Sequence, residues 1–308
     1  MGNKKVKEPK VLYHYCSAET FFNIVKYGSI WLSDISKSND SKELSWIKER
    51  SVDYITEKAV QYIENLEKAD RLREAPFDEV KEINNLIEFN VNNETEKCWV
   101  FCLSEKDDDL GQWRGYSQDG SGIAIGFKTE YLQKLVEEKD IKTFNDEKLH
   151  LKKVEYFGYR QKAKLFNKLV GKIDFENVSK DEFVAHLQKI AVSALMYSPF
   201  FKSDYFKEEK EWRLAFSMHC NEIHRGKIPS INNEYVTSKY EYSLTRGDLI
   251  SHIELDFKNM KDAISSIRLG PKCKLSEREI ILFLISKGYL KGITDTSIIV
   301  KKSNGSYR

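Results

Sequence analysis

The sequence has little of what staples, metallates or anchors a chain. Its five cysteines, Cys16, Cys98, Cys102, Cys220 and Cys273, form no CxxC pair, and their odd number behind a polar N-terminus argues against a disulfide framework. Met1 to Lys10 carries no apolar leader, and Val6 stands where a myristoylation start needs Ser or Thr. The longest apolar run, Ile280 to Ile285, is far too short to span a bilayer. These absences predict a cytoplasmic protein with no membrane contact. Charge of one sign is missing as well: Lys+Arg 50 against Asp+Glu 48 leaves +2, so no overall field demands a nucleic acid. A nuclease would also need paired metal-binding carboxylates and a basic bias, and neither is visible.

Motifs of the common active sites are absent too. There is no HExxH and no Asp/Asn calcium loop, and the one local group of soft ligands, His219, Cys220 and His224, has no zinc spacing. Asp107 to Asp109 reads equally well as a hard-cation ligand set or as an acidic turn, and no metal is expected. There is no GxSxG elbow, and Ser121 lies at a strand entrance. The glycines between Gly120 and Gly126 run into a strand, whereas a phosphate fingerprint needs a helix N-terminus. No internal repeat is seen.

What is present suits one large core. With 41% hydrophobic residues in 308, the expectation is a single domain over 1–308, carrying a helical insertion over 50–96 and a second helical segment over 160–196. Val11 to Cys16 alternates as a strand, Ser17 N-caps a helix ending near Gly28, and Ser29 to Ser33 is a second strand. Thr20 stands where a full capping box wants Glu or Gln. Ser36 to Ser41 is a polar loop suited to lining a site. From Tyr54 to Phe89 apolar residues recur at helical spacing on both sides of Pro76. Cys98 to Leu103 and Gly122 to Phe127 read as buried strands bracketing a loop with Gly111, Gly115 and Gly120. A helix over Thr129 to Val136, a strand over Leu149 to Phe157 and a helical stretch from Arg160 to Met196, broken near Gly171, follow. Strands at Glu211 to Ser217, Leu249 to Phe257, Ala263 to Leu269 and Ser297 to Lys302, with a helix over Ser276 to Lys287 ended by Gly288, complete the pattern. Strands in clusters and helices in blocks predict an α+β fold over a doubly wound one.

Three segments carry candidate chemistry. Strand alternation puts Leu12, His14 and Cys16 on one face of the first strand and Tyr13 and Tyr15 on the other, so the imidazole of His14 faces an interior or a cleft. The Cys98 and Cys102 thiols share one face of an apolar strand and read as inert. Between Phe206 and Phe216, alternation sets Glu209, Glu211 and Arg213 on one side and Trp212, Leu214 and Phe216 on the other. Two carboxylates about 7 Å apart repel unless Arg213 or another cation compensates. A solvent-facing edge strand is the plainer alternative. The link after Phe101 carries Gln112, Trp113, Arg114 and Tyr116, planar donors and aromatic faces suited to clasping a nucleotide or, as plainly, to plugging the core.

Taken together, Leu12 to Ser17, Ile30 to Ser33 with Asn39 and Asp40, Cys102 to Glu105 followed by Gln112 to Tyr116, Gly122 to Phe127, Glu209 to Arg213 and Leu269 to Pro271 resemble the bacterial family catalogued as domain of unknown function 2971. The similarity spans nearly the whole chain, apart from the insertion after residue 50 and the stretch 160–196. The opening strand with His14, Tyr15 and Ser17 and the late Glu209-Lys210-Glu211 segment also resemble, distantly, the ADP-ribosyltransferase fold, a split mixed or antiparallel β-sheet that grips NAD. That resemblance implies an ADP-ribosyltransferase or NAD glycohydrolase cleaving the nicotinamide N-glycosidic bond, in the setting of a bacterial antiviral defence effector or toxin. His14 would then hold a ribose hydroxyl, Trp113 or Tyr116 would stack on nicotinamide, and Arg213 would pair phosphate or carboxylate. Glu211, or else Glu209, would be the catalytic glutamate, and Tyr15, Ser17 and Gln112 would complete the NAD contacts. The Trp113-to-Tyr116 motif departs from the Ser-Thr-Ser strand of many transferases. The acceptor would be protein, nucleic acid or water. The same cleft in a non-catalytic nucleotide-sensing or partner-binding module of a defence system is the alternative.

Overall fold

The computed structural model describes residues 8–37, 45–92, 96–136, 149–175, 178–245 and 247–305. β1 (Val11–Cys16) leads into α1 (Ala18–Tyr27), where Ser17 Oγ accepts from the Thr20 N–H and Gly28 turns the chain at φ 70. Thr20 Oγ1 lies 2.9 Å from Ser17 Oγ, a hydroxyl contact in place of the capping-box carboxylate. β2 (Ser29–Asp34) follows, and 38–44, which includes Asn39, Asp40 and most of the polar loop, lies outside the described residues. Then come α2 (Ser45–Lys68) and α3 (Phe77–Asn92), parted near Pro76 as the helical periodicity requires, and β3 (Glu96–Ser104).

The link after β3 is a helix, α4 (Leu110–Tyr116), not the open loop its glycines suggest, because Asp109 caps it by accepting from the Gln112 N–H. β4 (Ile123–Lys128) and α5 (Thr129–Leu135) come next. The strand expected over Leu149 to Phe157 is two, β5 (His150–Lys153) and β6 (Glu155–Phe157), divided at the buried Val154, whose N–H donates to the Glu211 carbonyl. α6 (Lys162–Val170) and α7 (Lys180–Tyr197) fill the second helical segment, and β7 (Phe201–Ser203) is a short strand with no sequence counterpart. β8 (Glu211–His219) and α8 (Cys220–His224) precede β9 (Val236–Thr245), which the hydrophobic pattern missed. β10 (Asp248–Phe257), α9 (Met260–Ala263), β11 (Ile264–Leu269), α10 (Glu277–Ser286) and β12 (Ile299–Lys302) close the order.

The fold is α+β, with ten strands in one mixed sheet running β12-β11-β4-β1-β3-β2-β10-β9, from which β8 and β5 branch at β3. β11 and β12 are parallel and the remaining pairs of this sheet antiparallel, while β6 and β7 form a separate parallel pair. β8 pairs with β3 along its whole length, from Glu96↔His219 to Ser104↔Glu211. On its other edge β3 is shared: Trp99 and Val100 meet β2, and only Ser104 meets β1, at Tyr13. The sheet therefore parts between β1 and β3 after a single pair of residues. Alternation then sorts the core. Trp99, Phe101 and Leu103 of β3 and Trp212, Leu214 and Phe216 of β8 join one apolar cluster, while Cys98, Val100 and Ala215 join a second with the buried faces of α2, α3, α6 and α7.

Candidate functional site

The parting of β1 from β3 leaves a backbone acceptor that His14 takes. Its Nδ1 lies 2.9 Å from the Cys102 carbonyl, and its ring stacks on Phe101 with centroids 4.0 Å apart. A carbonyl only accepts, so Nδ1 carries the proton and Nε2 is left as an acceptor. Burial pushes the His14 pKa down to about 4, against the upward pull of the Cys102 carbonyl, so the ring is neutral at neutral pH.

α4 is pinned from beneath by β1 and by the C-terminal end of the chain. Tyr15 Oη donates to the Lys106 carbonyl and accepts from the Asp109 N–H, at 3.0 and 3.1 Å. Trp113, 1% exposed, packs edge-on against Tyr15, and its Nε1 donates to Asp108 Oδ1 at 2.8 Å. Ser303 Oγ and the Asn304 N–H donate to the same carboxylate, Asp107 pairs with Arg268, and Asp109 pairs with Lys106. The acidic run is thus spent on structure, and among the described residues no group of three His, Cys, Asp or Glu side chains is placed to hold a metal. The turn that returns the chain to β4 needs Gly122, where a Cβ would stand 2.1 Å from the Cys16 carbonyl oxygen.

The acidic pair differs from its sequence image. Glu209 ends a 3₁₀ turn (Asp204–Glu209), and Lys210, at φ 45 and ψ 48, swings the chain into β8, so Glu209 is not on the strand. Ser104 Oγ, donating to the Glu209 carbonyl at 2.7 Å, ties down that bend. The kink lets both carboxylates reach Lys202 of β7: its Nζ donates to Glu209 Oε2 at 2.9 Å and to Glu211 Oε2 at 3.1 Å. Arg213 holds Glu211 in a fork, Nε to Oε1 at 2.7 Å and Nη2 to Oε2 at 3.1 Å, and anchors itself through Nη1 on the Pro199 carbonyl at 2.5 Å. Tyr116 Oη donates to Glu209 Oε1 at 2.8 Å, and the Glu211 N–H donates to Tyr156 Oη at 2.9 Å. Burial alone would raise the Glu211 carboxyl; Arg213, Lys202 and the Cys102 thiol outweigh it and bring the pKa to about 2. The edge-strand alternative is excluded, since Glu211 and Arg213 are 6% and 1% exposed and β8 lies between β3 and β5.

These segments line one cavity of about 280 Å³. His14 and Tyr15 enter it from β1, Gln112 and Tyr116 from α4, and Glu209, Glu211 and Arg213 from the turn and β8. His14 lies on the face of Leu12 and Cys16, whereas Glu211 lies on the face of Ala215, so the cleft is a place where residues from both faces of the sheet meet. Two of the expected contacts are elsewhere. Trp113 is sealed below the cavity, and Ser17 is occupied as the cap of α1; neither lines it. Sequence reasoning missed Lys202 and Phe206, which also line the cavity, as does Cys102, whose thiol donates to Glu211. Lys202 stands between Phe201 and the polar Ser203-Asp204, and the local sequence carries no signal that marks it.

Residues 112–214 match the family model described as "Protein of unknown function (DUF2971)". The matched third of the chain holds α4 from Gln112 onward, Lys202, Glu209, Glu211 and Arg213, runs through 160–196, and does not include the β1 motif. Comparison with curated proteins and with solved structures finds no match. No helix among the described residues is long and apolar enough to cross a membrane.

Proposed function

We propose that the cleft takes the nicotinamide riboside end of NAD and that the protein cleaves its N-glycosidic bond, as an ADP-ribosyltransferase or NAD glycohydrolase. The observation that carries this reading is the convergence of His14, Tyr116 and the Glu209/Glu211 pair, from three separate segments, on one cavity. At about 280 Å³ the cavity sits at the small end of ligand sites, roughly 300–1,000 Å³, so it suits a nucleoside-sized group and leaves the rest of a dinucleotide outside. Neutral His14 offers Nε2 to a ribose hydroxyl. When the C1′–N bond breaks, its electron pair leaves on nicotinamide, and the carboxylates oppose the positive charge that builds on the ribose. The acceptor, a protein side chain, a nucleic acid or water, then bonds to C1′ and gives up its proton to solvent.

One observation favours a second reading, binding without turnover. Each oxygen of Glu209 and Glu211 already accepts from Tyr116, Lys202 or Arg213, which leaves little unspent charge for a transition state. In that reading the cleft belongs to a nucleotide-sensing or partner-binding module of a bacterial defence system. Incubation of the purified protein with NAD, with and without protein and nucleic-acid acceptors, separates the two. The proposal expects nicotinamide release, reduced roughly 10²- to 10³-fold in Glu209→Gln or Glu211→Gln. Calorimetric binding of NAD without release selects the nucleotide-sensing form of the second reading, and absence of both binding and release removes the NAD reading and leaves the partner-binding form.

A further inference from the structure

We infer that Gln112 is a specificity-determining residue of the cleft, whose side-chain amide reads the carboxamide of nicotinamide as donor and acceptor at once and so selects it over the acid, nicotinate. The inference rests on the proposed function for the identity of the ligand and deepens it, since that function by itself asks only for the ribose and the carboxylates.

Gln112 is fixed through its backbone and open at its side chain. Its N–H donates to Asp109 Oδ1 at 3.2 Å in the cap of α4, while the residue, 7% exposed, lines the cavity. Among the described residues neither Oε1 nor Nε2 meets a hydrogen-bonding partner. A carboxamide so far from bulk solvent costs free energy until some group satisfies it, and the group that can reach it is one that enters the cavity. Its neighbours on the same wall are engaged. Tyr15 Oη holds Lys106 and Asp109, Tyr116 Oη donates to Glu209, the Cys102 thiol donates to Glu211, and Lys202 and Arg213 both donate to Glu211. His14 has Nδ1 on the Cys102 carbonyl and Nε2 open.

These two open groups define what fits. His14 Nε2 accepts and calls for a hydroxyl, whereas Gln112 presents an oxygen and an NH2 side by side, the mirror of a primary carboxamide, which answers with an N–H and an oxygen. Nicotinamide riboside carries one of each, a ribose hydroxyl and a ring carboxamide. Nicotinate carries acceptors alone: its carboxylate takes the Gln112 N–H but sets a second oxygen against Oε1. A site built on paired hydrogen bonds rejects an analogue that leaves a buried partner unmatched. Charge does not reverse the preference, because Glu209 and Glu211 on the wall are balanced by Lys202 and Arg213 and His14 is neutral. Tyr116 follows Gln112 by four residues on α4, one turn along the same face and about 6 Å away between Cβ atoms, which sets a phenol ring beside the ring that bears the carboxamide.

The test titrates nicotinamide and nicotinate, by calorimetry or NMR, into wild type and Gln112→Met, and follows the thermal unfolding of both proteins. Methionine keeps the length of the side chain and its helix propensity and removes the amide. The expected result is a wild type that binds nicotinamide about tenfold more tightly than nicotinate, and a variant that loses about tenfold in nicotinamide affinity and with it the preference. The variant melts no lower than wild type, because the amide leaves no intramolecular partner behind. A wild type that binds neither probe or does not distinguish them, a Gln112→Met that keeps the preference, or one that melts clearly below wild type overturns the inference. Nicotinamide release from NAD, measured on the same two proteins, separates this inference from the function beneath it. Equal release with an equal KM for NAD sinks the role of Gln112 and leaves NAD cleavage standing; selective nicotinamide binding without release does the opposite.

Discussion

Glu211→Gln removes one negative charge from beneath Arg213 and almost no volume, so it isolates the worth of the buried pair. Burial raises the Glu211 carboxyl, and Arg213 and Lys202 bring it down to about 2 from an ordinary 4.5. At about 1.4 kcal/mol per pH unit, that difference corresponds to about 3 kcal/mol of folding stability at neutral pH. Removing one member of a buried ion pair costs about 3–5 kcal/mol by direct measurement in other proteins, which agrees. A chain of 308 residues unfolds with an entropy of about 0.65 kcal/mol/K near its midpoint, so Tm should fall by about 5 °C at pH 7. The pH dependence has a definite sign. Because the folded-state value is depressed, the contribution is complete above about pH 4.5 and disappears as pH falls towards about 2. The wild-type and variant curves, followed by calorimetry or circular dichroism, should therefore converge across that window. A variant that melts within about 1 °C of wild type at pH 7 would refute the claim that the fork holds the fold together.

His14 acts in a neighbouring window and with its own cause. It is held neutral by burial, with a folded pKa of about 4 against 6.5, so stability is complete above about pH 6.5 and up to about 3 kcal/mol is lost as pH falls towards about 4. His14→Gln should flatten the stability profile between those values in urea titrations, and an unaltered slope would show that the imidazole does not titrate there. Trp113→Ala should cost about 3–5 kcal/mol, since a ring 1% exposed is removed and Asp108 loses a donor. NAD affinity of the folded fraction should stay within about threefold; a lost affinity with stability intact would return Trp113 to the ligand.

Much of the fold is legible from periodicity, because both the β1 alternation and the α2 and α3 repeat are local. Even the division of β8 into an apolar face and a Glu211-Arg213 face follows from the two-residue repeat. What escapes is non-local or idiosyncratic. Alternation counts Glu209 as a strand residue because nothing marks Lys210 as left-handed; the bend is imposed by Ser104 and by the carboxylates' shared lysine. A glycine-rich stretch reads as a loop until Asp109 is seen capping it and Trp113 is seen buried. Lys202 sits on a strand of three residues, too short for any periodicity, and its partners are set by tertiary contact alone.

The forked pairing of β3 also governs when the cleft can exist. His14 meets the Cys102 carbonyl across 88 residues, and Ser104 meets Glu209 across 105, so neither half of the site is encoded in a local hairpin. Closing loops of that length costs chain entropy before any contact compensates, and contacts of such wide separation form slowly. β3 therefore has to be in place as a template, with β8 on one edge and β1 on the other, before the carboxylates and the imidazole face one another. A chain in which β1 or β8 is not paired with β3 lacks the cleft.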